Sequence, residues 1–255
     1  MKFLLRFLVI CFLVFSFSFA QAEVINPFNT RPVTIGASDD GVGNSLQERF
    51  DSLGIAINVL TGQNPTGMWS LGGTFPATAP VVLFEVAGFS GTNQVGIWSD
   101  LNGYTDPSGR TLVDIFKGSA TDGTKALLEY NRITKELTIT ASITAPANSV
   151  NVGTFTGIDI NAFGFYIQPE GGEAAFYSVD QLNGGAAQML AFREPVPNRW
   201  TIAFEDKPYS DGDHDFNDFV FQIESITPVP EPISMLLFGT GLVGVGGYIR
   251  KKLKK

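Results

Sequence analysis

The sequence predicts an all-β fold: an antiparallel β-sandwich of the jelly-roll kind with one short N-terminal helix. An N-terminal signal peptide precedes it and a C-terminal transmembrane helix follows it. Three observations carry the prediction. Short β-branched and aromatic runs recur at close spacing after Glu23. Turn signals such as Pro169-Glu170-Gly171-Gly172 and Asn183-Gly184-Gly185 separate them. A single segment combines helical apolar spacing with a cap. Many short strands without intervening helices favour a sandwich over an α/β fold.

The chain of 255 residues opens with Lys2 and Arg6, then an apolar run from Phe7 to Phe19, then Ala20-Gln21-Ala22. A charged start, an apolar centre and a small-x-small site form a signal peptide over residues 1–22, with cleavage after Ala22. Ile10 before Cys11 is too large for a lipobox. The sole cysteine leaves with this segment, so the exported part, beginning at Glu23, has no disulfide and no thiolate metal site. Ser45 and Glu48 have capping-box spacing, and Leu46, Phe50 and Leu53 share a face up to Gly54, which predicts the helix.

Strands are expected over Val81 to Ala87, whose nearly continuous apolar run reads as buried on both faces, and over Val95 to Trp98, Thr111 to Phe116, Leu127 to Arg132 and Glu136 to Ile143. Further strands are expected over Ala162 to Gln168, Ala174 to Val179, Gln188 to Arg193, Trp200 to Phe204 and Phe219 to Glu224. Leu137, Ile139, Ala141 and Ile143 alternate with Thr138, Thr140 and Ser142, the period of a half-buried strand. The exported β domain spans residues 23–226, and residues 227–232 read as an extended linker. Ile233 to Ile249 carries no charge and as a helix spans about 25 Å, which flanking Lys and Arg stems extend by snorkelling. Residues 250–255 hold Arg250, Lys251, Lys252, Lys254 and Lys255, so this tail stays in the cytoplasm and the β domain lies outside.

Charge narrows the partners. Residues 23–231 hold 10 Lys and Arg against 25 Asp and Glu, a net of −15. Such a surface excludes nucleic acid, whose binding runs on neutralised phosphates, and favours cations.

The densest chemistry lies between Trp200 and Glu224, where two apolar strands flank a loop with Glu205, Asp206, Asp211, Asp213, Asp215, Asn217 and Asp218. Asp211, Asp213 and Asp215 stand at i, i+2 and i+4, the spacing that opens calcium loops, and hard oxygen ligands suit Ca²⁺. Asp206, Asn217 and Asp218 complete the candidate metal set. The EF-hand pattern fails, because Phe216 takes the place of the sharp-turn Gly and Gln222 that of the bidentate Glu. The other reading is a solvated acidic turn whose Asp and Asn cap the backbone. His214 has no second His or Cys to complete a transition-metal site.

Two resemblances follow from these motifs. Pro230-Glu231-Pro232, an apolar Gly-rich span and a basic end resemble the PEP-CTERM sorting signal. That resemblance implies an inner-membrane-anchored precursor in a Gram-negative bacterium, recognition by an exosortase in the inner membrane, removal of the tail, and delivery to the cell surface or an extracellular matrix. Such proteins accompany exopolysaccharide and biofilm loci. Phe204-Glu205-Asp206 with Gly212-Asp213-His214-Asp215-Phe216-Asn217-Asp218 resembles the signature of domain of unknown function 4114, over about residues 121–224. It implies a β-rich envelope domain with an acidic loop and no catalytic activity.

The function expected is that of a non-enzymatic, exosortase-sorted surface or matrix protein that holds calcium and meets exopolysaccharide. The alternative is a secreted glycan-binding protein or glycan-acting enzyme. For the enzyme, Glu205 and Asp206 are the candidate pair, although strand neighbours point to opposite faces. For the lectin, the candidates are Trp69, Trp98 and Tyr104, whose competing reading is sandwich core.

Overall fold

A computed structural model describes residues 29–38, 40–74, 76–86, 91–100, 110–169 and 174–229. The signal peptide, the Pro230-Glu231-Pro232 motif, the span, the basic tail and Tyr104 lie outside the described residues. Among the described residues no helix is long and apolar enough to cross a membrane.

The described chain is β-rich with one short α-helix, α1 (Leu46–Ser52). The strands are β1 (Gln63–Asn64), β2 (Met68–Leu71), β3 (Ala77–Thr78), β4 (Val81–Phe84) and β5 (Gln94–Asp100). Then come β6 (Arg110–Phe116), β7 (Ala126–Asn131), β8 (Glu136–Ala141), β9 (Gly153–Phe155) and β10 (Gly164–Gln168). The series ends with β11 (Phe176–Tyr177), β12 (Met189–Arg193), β13 (Arg199–Phe204), β14 (Phe219–Glu224) and β15 (Ile226–Val229). All pairings are antiparallel: β1-β12-β13-β14-β4, β11-β10-β5-β6, β3-β7-β8-β9, and β15 on β2.

Alternation explains how the site-bearing sheet is buried on both faces. In β14, Phe219, Phe221 and Ile223 face the main core, where they meet Trp69, Phe116, Phe165 and Ile202. Val220 faces the other way, into a second cluster with Leu46, Phe50, Phe84, Phe192 and Phe216. The helix is the lid on that second face. Its capping box forms as the spacing predicts, with Ser45 and Glu48 each accepting from the other's backbone N–H. Leu46 and Phe50 are buried, each worth about 1.5–3 kcal/mol. Leu53 is 47% exposed, because the helix ends before its turn reaches the core.

Two expectations change. Residues 227–229 are not free linker: they belong to β15, which pairs Ile226 with Leu71 and Val229 with Met68. Ile226 is fully buried and its carbonyl accepts from Trp200 Nε1. The run at β4 is buried on alternate residues only, Val82 and Phe84, with Val81 and Leu83 half-buried.

Candidate cation site in the acidic loop

The β13–β14 hairpin positions the loop. Phe204 pairs with Phe219, so Glu205 and Asp218 are the first residues beyond the last paired rung. Having left the strand, Glu205 and Asp206 no longer alternate. The backbone N–H of Asp206 donates to Asp218 Oδ2 at 2.7 Å, which ties the hairpin mouth. Oxygens of Glu205, Asp206 and Asp218 then lie within 4.8 Å of one another, and all three residues are buried. The expectation that Glu205 and Asp206 face apart is therefore corrected: the strand ends at Phe204, one residue too early for alternation to separate them.

This inner group has few donors. Among the described residues no donor meets hydrogen-bond geometry at either oxygen of Glu205, although the Phe216 backbone N–H lies close enough to favour its charge in part, and Asp206 Oδ1 likewise lacks a donor. Asn93, fully buried just ahead of β5, donates to Asp206 Oδ2 at 2.9 Å and leaves its own Oδ1 without a donor. Glu85, just past β4, likewise has an orphaned Oε1. Among the described residues no Lys or Arg nitrogen is within ion-pair distance of Glu205, Asp206 or Asp218. Two unit charges 4.8 Å apart repel by about 3.5 kcal/mol at an effective dielectric constant near 20.

The carboxyl groups respond with raised pKa values. Burial, then the charges of Asp206 and Glu205, raises the pKa of Asp218 well above the ordinary range. Burial and the Asp213, Asp215 and Asp206 charges raise Glu205. Burial raises Asp206 despite the hydrogen bond from Asn93 and the nearby Lys207 charge. Burial pushes Glu85 up to about 7 and Asp215 up to about 6. Lys207 goes up as well, because the neighbouring carboxylates outweigh its own desolvation.

An outer group forms from Asp213, Asp215 and Asp40, again with oxygens within 4.8 Å. His214 and Phe216, which alternate with Asp213, Asp215 and Asn217, adopt left-handed backbone (φ 60 and 57). That conformation costs a non-glycine residue roughly 1–2 kcal/mol. Burial of the Phe216 ring in the second cluster offsets it. His214 stacks on Tyr209 at 4.1 Å and its Nε2 meets the Tyr209 carbonyl, so it braces the loop rather than joining either acid group.

The six residues picked from the sequence thus divide. Asp206 and Asp218 stand in the inner group, Asp213 and Asp215 in the outer, and Asn217 beside the outer pair through Asp215 Oδ2. Asp211 is exposed, takes a hydrogen bond from Ser210, and belongs to neither group. Sequence reasoning did not place Glu205 in the candidate set, and it missed Asn93, Glu85 and Asp40. Only Glu205 lies in the loop, where its place in the acidic run was the available signal.

The donor set is oxygen only, which fits a hard divalent cation and not a thiolate or imidazole metal. Residues 120–226 match the family model described as Domain of unknown function (DUF4114), and residues 228–251 match the PEP-CTERM protein-sorting motif. The chain carries both. No curated protein and no solved structure matches it. The PEP-CTERM motif makes it a membrane-anchored precursor, exported in a Gram-negative bacterium and processed by an exosortase. The DUF4114 match contains Glu205, Asp206, Asp213, Asp215 and Asp218 but excludes Asp40, Glu85 and Asn93. Trp69 and Trp98, the lectin candidates, are fully buried and offer no stacking platform.

Proposed function

We propose that the acidic loop of this exosortase-sorted protein is a structural Ca²⁺ site, and that the protein serves as a non-catalytic, jelly-roll-like component of the cell surface or extracellular matrix. The observation that carries the reading is Glu205: wholly buried, within 4.8 Å of two other buried carboxylates, and with no donor in hydrogen-bond geometry at either oxygen among the described residues. Unpaired buried carboxylates are costly, and a cation removes that cost. Glu205, Asp206, Asp218 and Asn93 Oδ1 would hold the ion, with Glu85 beside them. Bound Ca²⁺ would supply charge neutralisation at the hairpin mouth. It would also engage the carboxylates that a glycan-acting enzyme would need free as acid and base. At a net charge of −15, contact with an acidic exopolysaccharide would run through bridging cations.

The test is thermal melting of the full chain in detergent with Ca²⁺, Mg²⁺ or chelator. Ca²⁺ at 100 times its dissociation constant adds about 2.7 kcal/mol, a rise of roughly 5–10 °C for a domain of this size. Mg²⁺ should substitute poorly, since it demands tighter octahedral geometry and gives up water reluctantly. Superimposable curves in all three conditions would return the loop to a solvated acidic turn.

A further inference from the structure

We propose a second cation position, one that clasps the segment ahead of the DUF4114 match onto the acidic loop. It would be formed by Asp213, Asp215 and Asn217 of the loop together with Asp40, Ser38 Oγ and the Asn44 carbonyl. It extends the Ca²⁺ reading of the loop and rests on it only for the identity of the ion.

The deciding residue is Asn217. It is fully buried, and among the described residues its Oδ1 has no donor. Its amide nitrogen is crowded by four oxygens: Asp215 Oδ2 at 2.6 Å, Asn44 O at 2.8 Å, Asp40 Oδ2 at 3.1 Å and Ser38 Oγ at 3.2 Å. An amide NH₂ has two hydrogens, so two of these acceptors exceed its capacity. Turned over, the same amide presents Oδ1 to that spot. With a carboxylate oxygen of Asp213, which lies within 4.8 Å of those of Asp40 and Asp215, the oxygens available to a cation at this junction number six, the lower end of the coordination number Ca²⁺ takes.

The backbone is built for the same junction. The Gly36 N–H donates to the His214 carbonyl at 2.8 Å. A Cβ on Gly36 would lie 1.7 Å from the Asp213 carbonyl oxygen, so no other residue permits this approach. Asn44 Nδ2 donates to the Asp40 carbonyl, which folds residues 40–44 into the turn that leads to Ser45 and α1. The helix covers Phe216 on the apolar side, and the cation would close the polar side of the same contact.

Calcium alone is the probe. Equilibrium dialysis of the full chain should find two Ca²⁺ bound, falling to one in Asp40→Asn and one in Asp218→Asn. Hydrogen exchange of the peptide spanning residues 33–45 gives an independent readout. At 100 times the dissociation constant of the outer position, exchange there should slow about 100-fold in the wild type and stay at its chelator rate in Asp40→Asn. Melting of Asp40→Asn in chelator at or above the wild-type temperature would show that the substitution leaves the fold intact. A single ion lost in Asp218→Asn but kept in Asp40→Asn would overturn the clasp and leave the inner site standing. A single ion with the opposite dependence would support the clasp and remove the inner site. No bound ion would overturn both.

Discussion

At the scale of single residues, protonation and the proposed cation would compete for the same oxygens. Glu85 and Asp215 titrate at about 7 and about 6 in the folded chain because burial penalises their charge, against about 4 in an unfolded one. The sign follows from linkage: a carboxyl with a raised folded pKa binds more protons folded than unfolded. Its favourable effect is therefore present in acid and is lost as pH rises from about 4 through the folded value. In chelator the melting temperature should fall between pH 5 and 8, and saturating Ca²⁺ should flatten that fall. Asp206→Asn with Asp218→Asn should raise the melting temperature at pH 8 in chelator, by removing repulsion, while abolishing much of the calcium response. Scans at pH 5, 6, 7 and 8 decide it, and a chelator profile that rises with pH would contradict the argument. Part of this chemistry was legible beforehand. Asp213 and Asp215 stood out by spacing, but Asn93 and Asp40 reach the loop from 113 and 177 residues away and leave no local signal.

Elements were easier to read when their own pattern decided them. The alternation in β8 and the capping box of α1 are local, and a strand appears within each of the ten expected runs, with the bounds of Phe219–Glu224 unchanged and the others shifted. The elements missed are short or owe their existence to a partner. Residues of β1 and β3 extend for two positions each, and β9 for three. Strand β15 contains Pro228, which removes a donor and reads as linker, yet an edge strand tolerates that loss. What holds it is Ile226, fully buried in the main core beneath Trp200. Ile226→Ala should cost about 2–5 kcal/mol in chemical denaturation while leaving Ca²⁺ affinity unchanged. A cost below about 1 kcal/mol would show that β15 is merely laid on β2.

On the scale of the whole molecule, the fold runs almost to the sorting signal. Val229 is still paired with Met68, and Pro230-Glu231-Pro232 follows at once. Three residues reach at most about 10 Å, which bounds the separation between the end of β15 and the span expected from Ile233. Processing that spares the core must therefore cut after Ile226, and processing that spares all of β15 must cut after Val229, because a cut before Ile226 removes a buried core residue and the strand that carries it. The acidic body, net −15 between Glu23 and Glu231, is then freed from the only dense basic cluster at its C-terminal side, residues 250–255. Mature surface protein should begin at or near Glu23, retain β15 intact, and end near Glu231. Terminal mass spectrometry of native protein released from the cell surface is the measurement. Recovery of Lys255 in that surface form would mean that the span serves as a permanent anchor. An end point upstream of Ile226 would mean that β15 is dispensable to the exported fold.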